Sequence, residues 1–403
     1  MRSNYKRIGD CIQLVDERNI GLKITKLLGL SISKQFIPSV ANIIGTDMEN
    51  YKIIRKDQFA CSTMQVRRDK KMPVALLQEV EEAIISQAYP VFEVVDINCL
   101  LPEYLMMWFI RQEFDREACF HAIGGVRGSL EWEDFCNMKL PIPHIDKQKE
   151  IVKEYNVLVN RITLNNQLIK KLEETAQAIY KQWFVDFEFP DEEGKGYKSN
   201  GGEMVESEMG EIPKGWEMVY VKDFCIDMKS GGTPNRAIPS FWEKNDIPWL
   251  KTGEIDNNIV CLTQEYISTQ GLKMSSAKLL PKDTVLMSMY GVNAGDIGIL
   301  KFPASTNQAC CGMICETQKH SAFLYFHLLH NQEYIRSQAI GGAQENLSKD
   351  FVEKIPIIRP ASYLLTKCSL NVIIENKENL TREILILNRV INLLLSKLAT
   401  IEN

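Results

Sequence analysis

Much of what would mark an enzyme or a membrane protein is missing from these 403 residues. No uninterrupted apolar run approaches the roughly 20 residues that span a bilayer as a helix. The opening MRSNYKRIGD carries no apolar stretch of the kind a secretory signal requires. Neither GxxxxGK[ST] nor GxGxxG occurs, and Gly291, Gly295 and Gly298 have the wrong spacing for either, so two common ways of cradling phosphate are absent. No Asn-Pro-Pro or Asp-Pro-Pro is present, which removes the adenine-binding motif of amino-methyltransferases. A large excess of one charge is lacking too. The balance of 47 basic and 52 acidic residues leaves a net −5, which argues against a bulk polycation but allows a local basic groove. Eleven scattered cysteines fit a reducing cytoplasm where thiols stay free.

Two partial motifs have simpler explanations. Pro190-Asp191 with Glu193 and Lys195 resembles the carboxylates and lysine of a nuclease, but those groups must be held on adjacent strands to converge on a metal. Here they are crowded into a Gly-rich, charged stretch. Cys310, Cys311 and Cys315 precede His320, His327 and His330, yet the spacing fits no standard zinc knuckle. Cys310 to Cys315 reads as a buried strand in which cysteine behaves as a small hydrophobe. The expectation is a chain with no metal site and no catalytic group of its own.

What is present is a long amphipathic helix, Ile151 to Trp183. Apolar residues at Tyr155, Ile162, Ile169, Ala176 and Trp183 interleave with Ile151, Leu158, Leu172 and Ile179, a 3-and-4 spacing that lines one face. At about 1.5 Å per residue the stripe runs roughly 50 Å and needs a partner of similar length. The chain supplies one near its end: Leu370, Ile384, Ile391 and Leu398, interleaved with Ile373, Leu380, Leu387 and Leu394. Residue numbers differ by 215 in each of the pairs Leu158 and Ile373, Ile169 and Ile384, Leu172 and Leu387, and Ile179 and Leu394. Two long helices in one phase indicate an internal duplication. Asn165 and Lys377 interrupt the two stripes at different levels, an arrangement that often fixes register in paired helices.

The blocks before the helices repeat as well. Lys56-Asp57-Gln58-Phe59 matches Lys282-Asp283-Thr284-Val285, Ser86-Gln87-Ala88 matches Asn307-Gln308-Ala309, Leu105 matches Leu324, Gly124-Gly125 matches Gly341-Gly342, Leu130 matches Leu347 and Pro141 matches Pro356. The offsets fall in order from 226 to 215, as small loop insertions would make them. Ile53-Ile54 and Gln58 to Met64 read as strands around a turn, Ala83 to Val95 as a strand pair, Pro102 to Phe114 as a helix, and Asp146 as the N-cap of the long helix. Asp186 to Gly210, nearly without apolar residues, reads as a solvated linker. The expected architecture is α+β: a globular domain over 1–145, a long helix over 146–185, a linker over 186–211, a second globular domain over 212–360, and a helix over 361–403. The two helices are expected to pair as an antiparallel coiled coil.

Polar and basic loops are the candidate working surface. Block one offers Arg67, Arg68, Lys70, Lys71 and Arg127. Block three offers the run Lys229-Ser230-Gly231-Gly232-Thr233-Pro234-Asn235-Arg236, with backbone N–H groups expected to be freed by glycine, and then Lys251, Thr252, Tyr290, Asn293, Gln344 and Asn346. Hydroxyl, amide and guanidinium groups of this kind contact phosphates and base edges.

Asp186-Phe187-Glu188-Phe189-Pro190, Tyr197-Lys198, Gly201-Gly202-Glu203-Met204-Val205 and Gly210-Glu211-Ile212-Pro213-Lys214-Gly215-Trp216 resemble the central region of type I restriction-modification specificity subunits. Ser230-Gly231-Gly232-Thr233-Pro234 with Ile247-Pro248-Trp249 resembles the opening of that family's second target-recognition domain, and Gly341-Gly342-Ala343-Gln344 through Leu347 to Ile355-Pro356 resembles its close. Block one departs by lacking an Ile-Pro-Lys-Gly-Trp equivalent, and Ile357-Ile358-Arg359-Pro360 departs from the family's second exit segment. The resemblance implies that each globular domain reads one half of a split double-stranded DNA target and that the helices set the distance between halves. It implies docking of modification subunits, which methylate adenine, and of restriction subunits, which translocate and cut DNA. S-adenosylmethionine, ATP and Mg would then sit on those partners. Two rival readings remain at this stage: a coiled-coil scaffold that binds no nucleic acid, and the recognition part of a fused restriction-methylation enzyme.

Overall fold

A computed structural model of the chain describes residues 5–39, 47–124, 128–339 and 346–401. The fold separates into two compact units, Met1–Ile162 with Ile386–Asn403, and Thr163–Leu385. Each unit contains one α+β globular domain and parts of both long helices.

The duplication extends to strand register. In the first unit the main sheet runs in the order Ile12–Val15, Val91–Val94, Phe59–Cys61, Val74–Leu76. In the second the order is Asp227–Ser230, Cys310–Ile314, Val285–Ser288, Ile297–Leu300, with Ile259–Val260 added at the edge. Phe59 lies opposite Phe92 and Leu76, and Val285 lies opposite Met313 and Ile299. In the smaller sheets Ile53 pairs with Ile84 and Leu279 with Ser305. Each of those strands also takes a parallel neighbour, Leu27 beside Ile84 and Trp249 beside Ser305. The turn before each central strand places Asp57 and Asp283 at the same left-handed φ of 66°, a conformation that Asp tolerates better than most residues. Leu105 and Leu324 are both fully buried.

Several local expectations need correction. Glu82–Ile85 and Val91–Val94 are strands, but they belong to different sheets and do not pair with each other. The segment from Pro102 is two helices, Pro102–Ile110 and Gln112–His121, broken at Arg111 (φ −63°, ψ 140°). The break lets Phe109 and Phe114 meet in the core at 4.9 Å, whereas five helical residues would rotate them about 140° apart. The long helix begins at Ile145 and runs to Tyr180, followed by a π-helical turn, Lys181–Val185. Asp146 therefore lies inside the first turn, and His144 Nδ1 accepts its backbone N–H at 3.4 Å.

The stretch read as a solvated linker is folded. Phe187 and Phe189 are buried, and Phe189 stacks on Tyr197 at 4.5 Å and on Trp216 at 5.2 Å. Met204–Ser207 and Gly210–Pro213 form a hairpin. The apolar content is sparse, but it is concentrated in aromatic rings that stack. The nuclease-like cluster is a turn: Asp191 Oδ1 accepts from the Glu193 and Lys195 backbone N–H groups, each at 2.9 Å.

The helices pair antiparallel within each unit. In the first unit Ile151, Tyr155, Leu158 and Ile162 share a core with Ile391, Leu394, Leu395 and Leu398. In the second, Leu172, Ala176, Ile179 and Tyr180 share one with Leu370, Ile373 and Ile374. Ile169, Leu380, Ile384 and Leu387 are half-buried. The end of each helix closes the core of the other repeat's globular domain; the Tyr5 hydroxyl, for instance, donates to Ala399 O at 2.9 Å. Both polar interruptions of the stripe are buried. Lys377 forms an ion pair with Glu173, while Asn165 Nδ2 has no partner among the described residues.

Candidate nucleic-acid interface

Strand direction gathers the second unit's candidates at one sheet end. Ser230 pairs with Cys311 and Ser288 with Cys310, so two strands finish where the third begins. The loops leaving that end carry Thr233, Asn235 and Arg236 on one side and Tyr290 and Asn293 on the other. Asn346 joins them through a backbone bridge to Tyr290. Lys251, with Thr252 opening a short turn beside it, is drawn in because Lys251 and Arg236 share one carboxylate, Glu265.

The loop from Gly231 is built differently from its expected form. The Gly231 and Gly232 N–H groups donate to Cys310 O at 3.2 Å and Thr306 O at 2.8 Å, so they are occupied within the fold. A Cβ on Gly231 would lie 2.2 Å from Asn307 O, and one on Gly232 would lie 2.6 Å from Ala277 N. Glycine here permits close packing of backbone on backbone. Trp249 Nε1 then donates to Gly232 O at 3.0 Å, fixing the loop from beneath.

Arg236 is held on three sides. Its guanidinium lies 3.6 Å from the Trp242 ring centre and 5.0 Å from that of Trp249, and Nη1 reaches Glu265 Oε2 at 2.6 Å. Burial raises the Glu265 pKa, but Lys251 and Arg236 override it and hold the carboxyl below the usual carboxylate range. The two cations thus share one carboxylate in a fixed geometry, and the Glu254 carboxylate accepts the Lys251 backbone N–H beside them at 3.0 Å. Elsewhere in the cluster, Thr233 Oγ1 donates to Gln308 Oε1 at 2.6 Å, and Asn235 Oδ1 accepts from Ala237 N–H at 2.9 Å. Asn293 Nδ2 donates to Asp296 Oδ2 at 2.9 Å, and Arg336 pairs with the other oxygen at 2.5 Å.

The first unit presents a related edge. Arg67 donates through its guanidinium to Gly124 O at 3.2 Å and through its backbone to Gly128 O at 3.3 Å. Arg68 grips Asp69 through two bonds at 2.6 and 3.0 Å. Lys70 and Lys71 line a cavity of about 460 Å³ with Lys34 and Arg116. Burial pushes the Lys34 ammonium down, and its pair with Asp115 at 2.8 Å opposes that shift. Arg127 and Gln344 lie outside the described residues.

Trp242, Glu265, Gln308, Asp296 and Arg336 went unrecognised in the sequence. Glu265, Gln308 and the Asp296–Arg336 pair act through partners distant in the chain, which no local spacing announces, and Trp242 meets Arg236 only because the loop between them turns back. The cysteine–histidine run does not converge on a metal. Cys310 packs with Leu250, Leu280 and Leu286, whereas Cys311 faces Met287 and Met313 on the opposite side of the strand. Both ring nitrogens of His327 are engaged, by Tyr180 and by Pro356 O.

Two copies of one α+β domain, built on paired long helices and carrying polar and basic loops at a sheet end, define an internally duplicated protein. The chain belongs to the family of the type I restriction modification DNA specificity domain, whose family model matches residues 41–174 and again 213–363. Over 380 residues it is 24% identical to the type I restriction enzyme HindI specificity subunit of Haemophilus influenzae, covering 81% of this chain and 82% of that one. It is 23% identical over 246 residues to the EcoR124I/EcoR124II specificity subunit of Escherichia coli, covering 56% and 54%. Its fold is similar to the type I restriction-modification S subunit from M. genitalium, with a TM-score of 0.58 at 13% identity over 99% of this chain and 96% of that one. Among the described residues, no helix is long and apolar enough to cross a membrane.

Proposed function

We propose that this chain is the sequence-reading subunit of a cytoplasmic type I restriction-modification complex, each recognition domain contacting one half of a split double-stranded DNA site. The observation that carries this reading is the register-for-register duplication, which gives two similar readers with different side chains at equivalent sheet ends. Two such readers suit a target made of two unlike halves.

The long helices set the gap between the halves and dock the modification subunits. Val157, Leu164, Leu168, Ile386, Val390 and Leu393 remain exposed on those helices. An apolar cavity of about 550 Å³ opens between Val157, Leu158, Val390 and Leu394. Exposed apolar surface of this kind is what a permanent partner would cover. The modification and restriction subunits supply the chemistry, together with S-adenosylmethionine, ATP and Mg. This chain contributes recognition and no catalytic group.

Modified-base sequencing of host DNA, with and without the gene, tests the reading. The expected result is a split motif that is methylated only when the gene is present. An unchanged methylation pattern would overturn it. With purified complex, binding should weaken steeply as salt rises, because phosphate contacts release counterions.

A further inference from the structure

A side chain that the same backbone holds in the same place in both repeats, and leaves exposed in both, is positioned for a task the two repeats share. One such pair of positions lies at the ends of the two central strands. The central strands Phe59–Cys61 and Val285–Ser288 run on to Thr63 and Met289. Thr63 O accepts the Leu130 N–H at 2.9 Å, and Met289 O accepts the Leu347 N–H at 2.7 Å. Leu130 and Leu347 are each 1% exposed, so both corners are pinned to a core. Two residues on, Gln65 and Gly291 adopt left-handed φ values of 63° and 74° and open a short turn. The residue between anchor and turn is Met64 in one repeat and Tyr290 in the other. They are 49% and 44% exposed, although both are large and partly apolar.

The surroundings of the corners match a nucleic acid. Arg67, Arg68 and Lys70 follow Met64 within six residues, and Arg67 is fixed against the neighbouring Gly124 carbonyl. Tyr290 is bridged to Asn346 and is followed by Asn293, with Arg336 held close by through Asp296. Cations suit the phosphates of a duplex, while a large side chain projecting beside them suits the bases within the groove. The two differ in chemistry where the backbone does not. A methionine end fits the C5-methyl of thymine. A tyrosine hydroxyl, which has no partner among the described residues, can donate to or accept from a base edge.

We propose that Met64 and Tyr290 are equivalent specificity-determining positions, each meeting a base-pair edge in its own half of the DNA target. This rests on the DNA-reading function proposed above. The test is modified-base sequencing of host strains carrying the wild-type gene, Met64→Ala, Tyr290→Ala or Tyr290→Phe. Wild type should give a split motif. Met64→Ala should relax one base pair in one half, and Tyr290→Ala one base pair in the other, each by on the order of tenfold in discrimination. Tyr290→Phe should relax the same base pair as Tyr290→Ala, through loss of the hydroxyl alone. An unchanged motif in the alanine variants, relaxation of the same half by both, or loss of all modification by either would overturn the proposal, the last by making the corner structural. If wild type gives no split motif, the function itself fails, and that result is distinct from a wild-type motif that the variants leave untouched.

Discussion

His327 shows how one side chain joins three elements of the second unit. Pro356 O can only accept, so His327 Nε2 carries the proton and donates at 3.0 Å. Nδ1 must then accept from the Tyr180 hydroxyl at 2.9 Å. The neutral ring thus ties the end of the first long helix to the helix Gln318–His330 and the strand Pro356–Arg359. Burial pushes its pKa from the ordinary 6.5 down to about 4. A histidine depressed on folding stabilises fully above its unfolded pKa and loses that contribution as pH falls toward the folded value. The loss should develop between about pH 6.5 and 4 and reach about 3 kcal/mol. Urea unfolding at pH 7.5 and 4.5, comparing wild type with His327→Gln, checks this: the variant should lose less stability on acidification, and parallel losses would contradict it. None of this was legible beforehand, because His327, Tyr180 and Pro356 are far apart in the chain. Arg236 was legible as a polar candidate, but its stacking on Trp242 and its shared carboxylate were not. Composition shows that a guanidinium is available; only the fold shows what already occupies it.

The long helices were the most legible elements, because a 3.6-residue period repeated over many turns leaves few alternatives. Their polar interruptions were legible too, though as two similar features, and the structure separates them. Lys377 is 1% exposed and its ammonium is paired with Glu173. Removing the buried ammonium strands the half-buried Glu173 carboxylate, so Lys377→Met should cost about 2 kcal/mol. The double variant Lys377→Met with Glu173→Leu should recover most of that loss. Chemical denaturation measures both, and equal instability of the single and double variants would show that the pair is not the source. Asn165 is 2% exposed with an unpartnered Nδ2. Asn165→Leu should therefore raise stability by about 1 kcal/mol. If Asn165 selects the register, the same change should also broaden the spacing between methylated half-sites, and an unchanged gap would remove that role. Boundaries were harder to read than periods. The aromatic rings around Phe189 fold a stretch whose charge and glycine content alone suggested solvent, since the rings of Tyr197 and Trp216 stacked on Phe189 outweigh many polar neighbours.

For the molecule as a whole, the sequence carried the duplication in helix phase and in the drift of offsets from 226 to 215. It did not carry the strand registers, because β pairing joins residues whose separation no local pattern encodes. The registers explain why the offsets drift: the strand pairs are conserved between repeats, and the length differences fall in the turns between them. The same logic separates what the two kinds of element can change. Under the proposed function, loops at the sheet ends can vary without moving the strands and so alter which bases are read. Helix length can vary without touching the loops, so under the same proposal it alters only the distance between the halves. Inserting one heptad after Ile162 and another after Leu385 keeps both stripes in phase, since seven residues are nearly two turns. It adds about 10 Å to each helix, or about three base pairs at 3.4 Å each. Under the proposed function, modified-base sequencing should then show both half-sites unchanged and the gap between them longer by about three base pairs. A gap that stays fixed would mean the helices do not set it, and altered half-sites would mean that readers and struts are not independent.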